Sequence, residues 1–365
     1  MVRSEKKHRI IFIDLMRAFA VIQMVQGHTV DVLLSPEFRS EEYPIYFLWN
    51  FMRGMTAPIF MFTAGTVFTY LFRLIDEPFI NNPRVKKGFY RFLLLVSIGY
   101  LLRYPTYTIF DFSNVSQDRL NIFFAVDVLQ LIGFGLLFVM ICAFIAEKLK
   151  LSDTIVFAFF ALFFFIATPF FSKISWIEYF PQPIAGYFYE GTGSLFPLFP
   201  WAGYVVLGGV LGSYLARNPM VFKSNKFSIN LALFGFALIF VSEVSVLISE
   251  KFFDYYFLSS SYTLDTILFR VGFVLVLNSL VSYISQKIES IPRIVILIGR
   301  NTLLIYVVHL MILYGSAWNP GLSLLFGSSL KVPATILFAL LMITLMTLMV
   351  ILLSKFKFRN KQLVT

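Results

Sequence analysis

Long apolar runs alternate with short polar connections along this chain, and ten of the runs are long enough to cross a bilayer as helices. They lie near residues 10–34, 54–74, 88–108, 123–147, 152–172, 197–216, 227–250, 264–286, 293–316 and 331–354. Two stretches, Thr154 to Phe171 and Val332 to Ser354, hold no charged side chain. The pattern predicts an all-α integral membrane protein, a bundle of about ten transmembrane helices forming one domain over residues 1–365. In the third run Arg91 and Arg103 bracket a short clean core and would have to snorkel toward the interfaces.

The first run breaks the apolar pattern. Between Ile10 and Leu34 it carries Asp14, Arg17, His28 and Asp31, which at roughly 100° per residue project within an arc of about 100°. A charge at the bilayer centre costs about 3 kcal/mol on the mildest scale, so such a stripe faces a protein interior and marks a site.

Composition agrees: 58% hydrophobic and 14% charged residues exclude an ordinary soluble domain. The net charge of +10 could suggest nucleic acid, but its distribution gives another reason. With the N-terminus inside, cytoplasmic segments hold 20 of the 30 Lys and Arg, among them Arg84, Lys86 and Lys87 after the second run. This is the positive-inside pattern, which places both termini in the cytoplasm for an even number of spans. A cell-membrane (inner-membrane) location follows, with lipids as partners and no role for nucleic acid. The basic lead of Arg3, Lys6, Lys7 and Arg9 is expected not to belong to a cleaved signal peptide, because Asp14 and Arg17 interrupt the apolar region. Cys142 is the lone cysteine, so no intrachain disulfide forms, and three histidines without a His-x-x-x-His pair argue against a metal. A homodimer is compatible with this reading.

Topology turns position into depth at about 1.5 Å per residue. His28 then lies near the outer interface, with His309, Tyr306, Asp127, Gln130, Arg270 and Glu243 in the same outer half; Asp14, Arg17 and Arg300 lie in the inner half. The outer group suits proton transfer, since histidine titrates near neutrality and Asp31, one turn on, can orient His28. The inner arginines suit phosphate. Plainer roles compete: Asp14 and Arg17, one turn apart, can form a packing ion pair, and either histidine can be a buried, hydrogen-bonded one. The longest connection, roughly Ser172 to Leu198, is a lid or an interfacial cap rich in aromatics, prolines and glycines. Gly208 and Gly212 are spaced for close helix packing.

Several of these stretches resemble one family. Arg9 to Ala20 followed by Gly27-His28 is similar to the first span of heparan-alpha-glucosaminide N-acetyltransferase-like proteins, within the broader acyltransferase 3 group. There, an arginine and a histidine enclose ten residues, as Arg17 and His28 do. Ala57 to Gly65, Asp127 to Gly133, Phe196 to Trp201 and Ile298 to His309 extend the likeness in order, over about residues 9–316. Ala18 stands where relatives carry glycine, and Gly27 where an acid often precedes the histidine, which leaves Asp31 or Asp127 to support His28.

The resemblance implies an acyl-CoA-dependent membrane acyltransferase that moves an acyl group, most simply acetyl, from cytoplasmic acetyl-CoA to a hydroxyl or amine. The acceptor would be carbohydrate-like and reached at the outer face. Arg17, Arg300, Asn301, Arg84, Lys86 and Lys87 would bind the donor. His28 would act as general base or transient acyl carrier, aided by Asp31 or Asp127, with Arg270, Tyr306 or His309 donating to the oxyanion. A transporter or flippase is the rival, since polar intramembrane residues also line permeation paths, but neither an internal repeat nor paired interruptions in the two halves are evident. An inactive scaffold of the same fold is a third reading.

Overall fold

The computed structural model describes residues 10–218, 220–252, 263–288 and 290–362; the basic lead Arg3, Lys6, Lys7 and Arg9 lies outside them. Within them the chain is helical, with fourteen α-helices. They are α1 (Ile11–Leu33), α2 (Pro44–Arg73), α3 (Pro83–Leu102), α4 (Gln117–Phe124), α5 (Val128–Lys148), α6 (Asp153–Lys173) and α7 (Gln182–Ala185). There follow α8 (Leu198–Arg217), α9 (Asn225–Phe252), α10 (Leu264–Gln286), α11 (Arg293–Arg300), α12 (Thr302–Tyr314), α13 (Leu322–Phe326) and α14 (Val332–Gln362).

Seven helical stretches are long and apolar enough to cross a membrane: α2, Gln117–Lys148, α6, α8, Asn225–Ile248, α10 and Val332–Phe356. The pair α11 and α12 makes an eighth only if counted together, because the two are bent by 74°. The ninth apolar run is therefore a broken helix and not the straight span its hydropathy predicts. Asn301 sits at the break and its side-chain amide donates to the Leu297 carbonyl at 2.8 Å, capping α11. Helices α1 and α3 have the length, 23 and 20 residues, but their charged side chains lower their hydropathy.

Local chemistry sets the helix starts. Pro83 opens α3 and the Asn82 side chain accepts from Arg84 N at 2.9 Å, a cap worth about 1 kcal/mol. Asp127 starts α5 in the same way, accepting from Val128 N at 2.7 Å. The tightest crossing joins α2 and α8. A Cβ on Gly208 would strike the Phe62 carbonyl, and one on Gly212 the Thr66 carbonyl, so the Gly208-x-x-x-Gly212 spacing serves packing.

Helix α1 is central, lying against α2, α10, α11, α12, α13 and α14. A helix covered on so many sides can hold polar groups away from hydrocarbon. Its far end is tied to the segment before α14, with Ser35 N donating to Leu330 O and Leu330 N to Leu33 O, both at 2.9 Å. Apolar faces of α9 (Leu233, Phe236, Phe240) and α14 (Leu337, Leu341, Leu348) turn outward, as helices bordering lipid do.

Candidate active site

Helix α3 packs on α5 and hardly touches α2, which opens a cleft of about 510 Å³ between α2 and α3. Its walls are apolar: Phe60, Val67 and Leu71 from α2, Leu94 and Leu95 from α3, Leu129 and Ile132 from α5. Arg84, Lys87 and Arg91 of α3 and Arg17 of α1 supply positive charge, while Thr63, Thr302 and Tyr306 add hydroxyls. None of the four cations takes part in an ion pair among the described residues. Arg91 and Arg300 repel the Arg17 guanidinium and Asp14 attracts it. Asp14 itself is 8% exposed, and its backbone oxygen would lie 2.9 Å from a Cβ on Gly299, so only glycine lets α11 approach α1 here.

Beyond Tyr306 lies a cluster of aromatic and titratable groups. Tyr306 and His309 rings meet edge to face with centroids 5.6 Å apart, and the His309 and His28 rings are 5.5 Å apart. His28 Nδ1 shares a hydrogen bond of 3.3 Å with the Tyr314 hydroxyl. His309 is fully buried, and its Nδ1 lies 2.8 Å from the Ile305 carbonyl. A carbonyl only accepts, so Nδ1 carries the proton and Nε2 is left as a lone pair, buried without a partner among the described residues. In this tautomer neutral His309 offers an acceptor at Nε2, and it donates there only after taking a second proton.

Two ion pairs flank the histidines. Arg103 Nη2 donates to Asp127 Oδ2 at 2.7 Å, and Arg53 Nη2 to Asp31 Oδ2 at 2.6 Å. Both carboxylates act electrostatically on the His28 ring, so the structure brings both candidate supporters to the same imidazole. Arg39 clamps the Asp31 and Leu34 carbonyls at 2.8 and 2.6 Å, fixing the end of α1 that carries His28. The long connection packs over the start of α5: Val126 N donates to Ser194 Oγ at 2.9 Å, and the Tyr187 and Tyr100 hydroxyls meet at 3.0 Å. Burial and that partner push the Tyr187 phenol up, keeping it neutral. Among the described residues no three His, Cys, Asp or Glu come together as a metal site.

Other predicted residues stand elsewhere. Arg270 lies with its guanidinium 5.4 Å from the Trp201 ring centre, in a group with Tyr204, and makes no described contact with either histidine. Arg300 ends α11 at the surface, Asn301 spends its amide on the backbone, and Lys86 extends over the Tyr90 ring; none of these three lines the cleft. Glu243 is exposed on α9, and Gln130 is fully buried against Gly99.

The sequence reading left out four residues of this region as site members. Arg91 was legible, because Arg84, Lys87 and Arg91 follow i, i+3, i+7 on one helix face. Arg103 was also within reach, since it ends α3 opposite the start of the neighbouring α5, where Asp127 sits. Tyr314 and Arg53 meet His28 and Asp31 only through tertiary packing, and periodicity gives no sign of them.

Residues 9–256 match the family model described as heparan-alpha-glucosaminide N-acetyltransferase, catalytic. No curated protein matches the chain.

Proposed function

Because this chain belongs to the heparan-alpha-glucosaminide N-acetyltransferase catalytic family, whose model covers more than half of it, we propose that it is an acyl-CoA-dependent membrane acetyltransferase. The observation that carries this reading is the cleft: four cations at its edge that form no ion pair among the described residues, an apolar passage, and Tyr306 at the end nearest His309 and His28. Guanidinium and ammonium groups suit the CoA phosphates, and the apolar walls suit the pantetheine arm. The thioester then arrives beside Tyr306.

His28 acts as general base. With its Nδ1 proton donated to Tyr314, Nε2 is free to take a proton from the acceptor hydroxyl or amine, with the negative charge of Asp31 and Asp127 acting on the ring. The acceptor attacks the thioester carbonyl, and the Tyr306 hydroxyl, which has no hydrogen-bond partner among the described residues, stabilises the oxyanion. Such a donor is typically worth about 3 kcal/mol. Collapse breaks the C–S bond and releases CoA.

In this reading all of 1–365 is one domain of ten spans, with α1, α3 and the bent pair α11–α12 counted among them. The excess of cationic loops favours cytoplasmic termini in a cell membrane, which puts the donor cleft inside and His28 toward an outer, carbohydrate-like acceptor. Lipid surrounds the apolar faces of α9 and α14.

A transporter is the second reading, and the break at Asn301 favours it, since broken helices often hold transported substrates. Yet among the described residues the only pair bent this sharply lies in the second half of the chain, with no counterpart of like bend in the first. Membranes incubated with radiolabelled acetyl-CoA discriminate: covalent label in an envelope fraction supports transfer, and movement of unmodified solute without labelling supports transport.

A further inference from the structure

Transfer from a thioester leaves a proton on the wrong side of the site. The acceptor loses it to His28, but the group that needs it is the thiolate leaving in the cleft, and His28 is not part of the cleft wall. Between the two stand His309 and Tyr306, with ring centroids 5.5 Å from His28 to His309 and 5.6 Å from His309 to Tyr306. Tyr306 is the member of this series that faces the cleft.

Resting on the acetyltransfer reading above, we propose that His309 is a proton relay that returns the acceptor's proton from His28 to the departing thiolate through the Tyr306 hydroxyl. The tautomer fits this task. The hydrogen bond of 2.8 Å to the Ile305 carbonyl holds the proton on Nδ1, so the unpartnered Nε2 can accept a second one. A purely structural histidine in a fully buried position would be expected to use both ring nitrogens, since a buried acceptor without a partner is costly.

The balance is closed. The acceptor O–H or N–H bond breaks as its heteroatom bonds the acyl carbon, and His28 Nε2 takes the proton. His28 passes it to His309 Nε2. Tyr306 gives its hydroxyl proton to the thiolate as the C–S bond breaks and is reprotonated from His309 Nε2. Free thiol, acylated acceptor and the starting protonation states remain, with no other reactant. His309 acts through its neighbours and is a positioning residue for the proton.

The test uses the full chain in its native membranes, with radiolabelled acetyl-CoA as donor and the initial rate of labelling of the envelope fraction as the readout. His309→Ala should slow labelling about a hundredfold with CoA affinity unchanged. Added imidazoles should restore the rate in the order of their basicity, which a packing role would not produce. A rate within threefold of wild type, or rescue indifferent to imidazole basicity, overturns the relay. His309→Gln keeps bulk and an amide donor for Ile305, and covers misfolding of the alanine variant; it should be equally slow with CoA still bound, and a near-normal rate overturns the proposal. If the unaltered chain neither binds CoA nor labels the envelope, the acetyltransfer reading itself fails.

Discussion

Arg17→Ala separates a donor-binding arginine from a packing one, because the two roles move different observables. In the cleft wall Arg17 has no ion pair among the described residues and is repelled by Arg91 and Arg300 while Asp14 attracts it. Such a site is electrostatically incomplete without an anion. If the arginine holds a CoA phosphate, its removal deletes a charge-assisted hydrogen bond worth about 1.5–3 kcal/mol. At 1.4 kcal/mol per decade, CoA affinity should fall roughly 10- to 150-fold. Arg17→Lys keeps a point charge but loses the planar fork, so its loss should be smaller. The unliganded protein should be no less stable to heat, since a repelled cation has gone. A structural partner of Asp14 behaves in the opposite way: removal would destabilise the protein by about 3–5 kcal/mol and leave affinity intact. Titration of CoA into the purified protein in nanodiscs, with thermal melts of both unliganded forms, measures both quantities. A dissociation constant within twofold of wild type together with a lowered melting temperature would refute the reasoning.

Three further outcomes follow from the same geometry. His28→Ala should abolish envelope labelling while CoA still binds, because the base lies outside the donor cleft; normal turnover in that variant removes the mechanism. Asp127→Asn breaks a half-buried ion pair with Arg103 and should cost about 2 kcal/mol, less than a fully buried pair because both side chains keep some water; a double-mutant cycle with Arg103→Met that finds no coupling would show the bridge to be inert. Gly65→Val drives a side chain into the Val205 backbone at the α2–α8 crossing and should destabilise by about 3 kcal/mol or more, read as a drop in detergent melting temperature.

Much of this protein is legible in its sequence. Apolar runs located the membrane-length helices, since a bilayer demands about 20 apolar residues whatever the fold. The stripe of Asp14, Arg17, His28 and Asp31 identified α1 as a helix surrounded by protein, and it lies against six others. Arg84, Lys87 and Arg91 follow a helical spacing that anticipates their common face on the cleft.

The rest needed the tertiary structure. Hydropathy averages over a window and cannot register the 74° bend at Asn301, where one side chain satisfies a carbonyl that the interrupted helix leaves open. Depth put Arg270 level with the histidines, but depth is one coordinate of three, and helix rotation and packing set Arg270 over Trp201 instead. The pairing of His28 with Tyr314 spans 286 residues of chain, and the tautomer of His309 depends on a carbonyl of its own helix in a fully buried place. Sequence therefore determined where the long apolar helices fall and which of them carry charge, because both are set by local chemistry. Packing alone decided which charges meet, since contacts between distant helices depend on crossing angles and glycine-sized gaps that no single segment encodes.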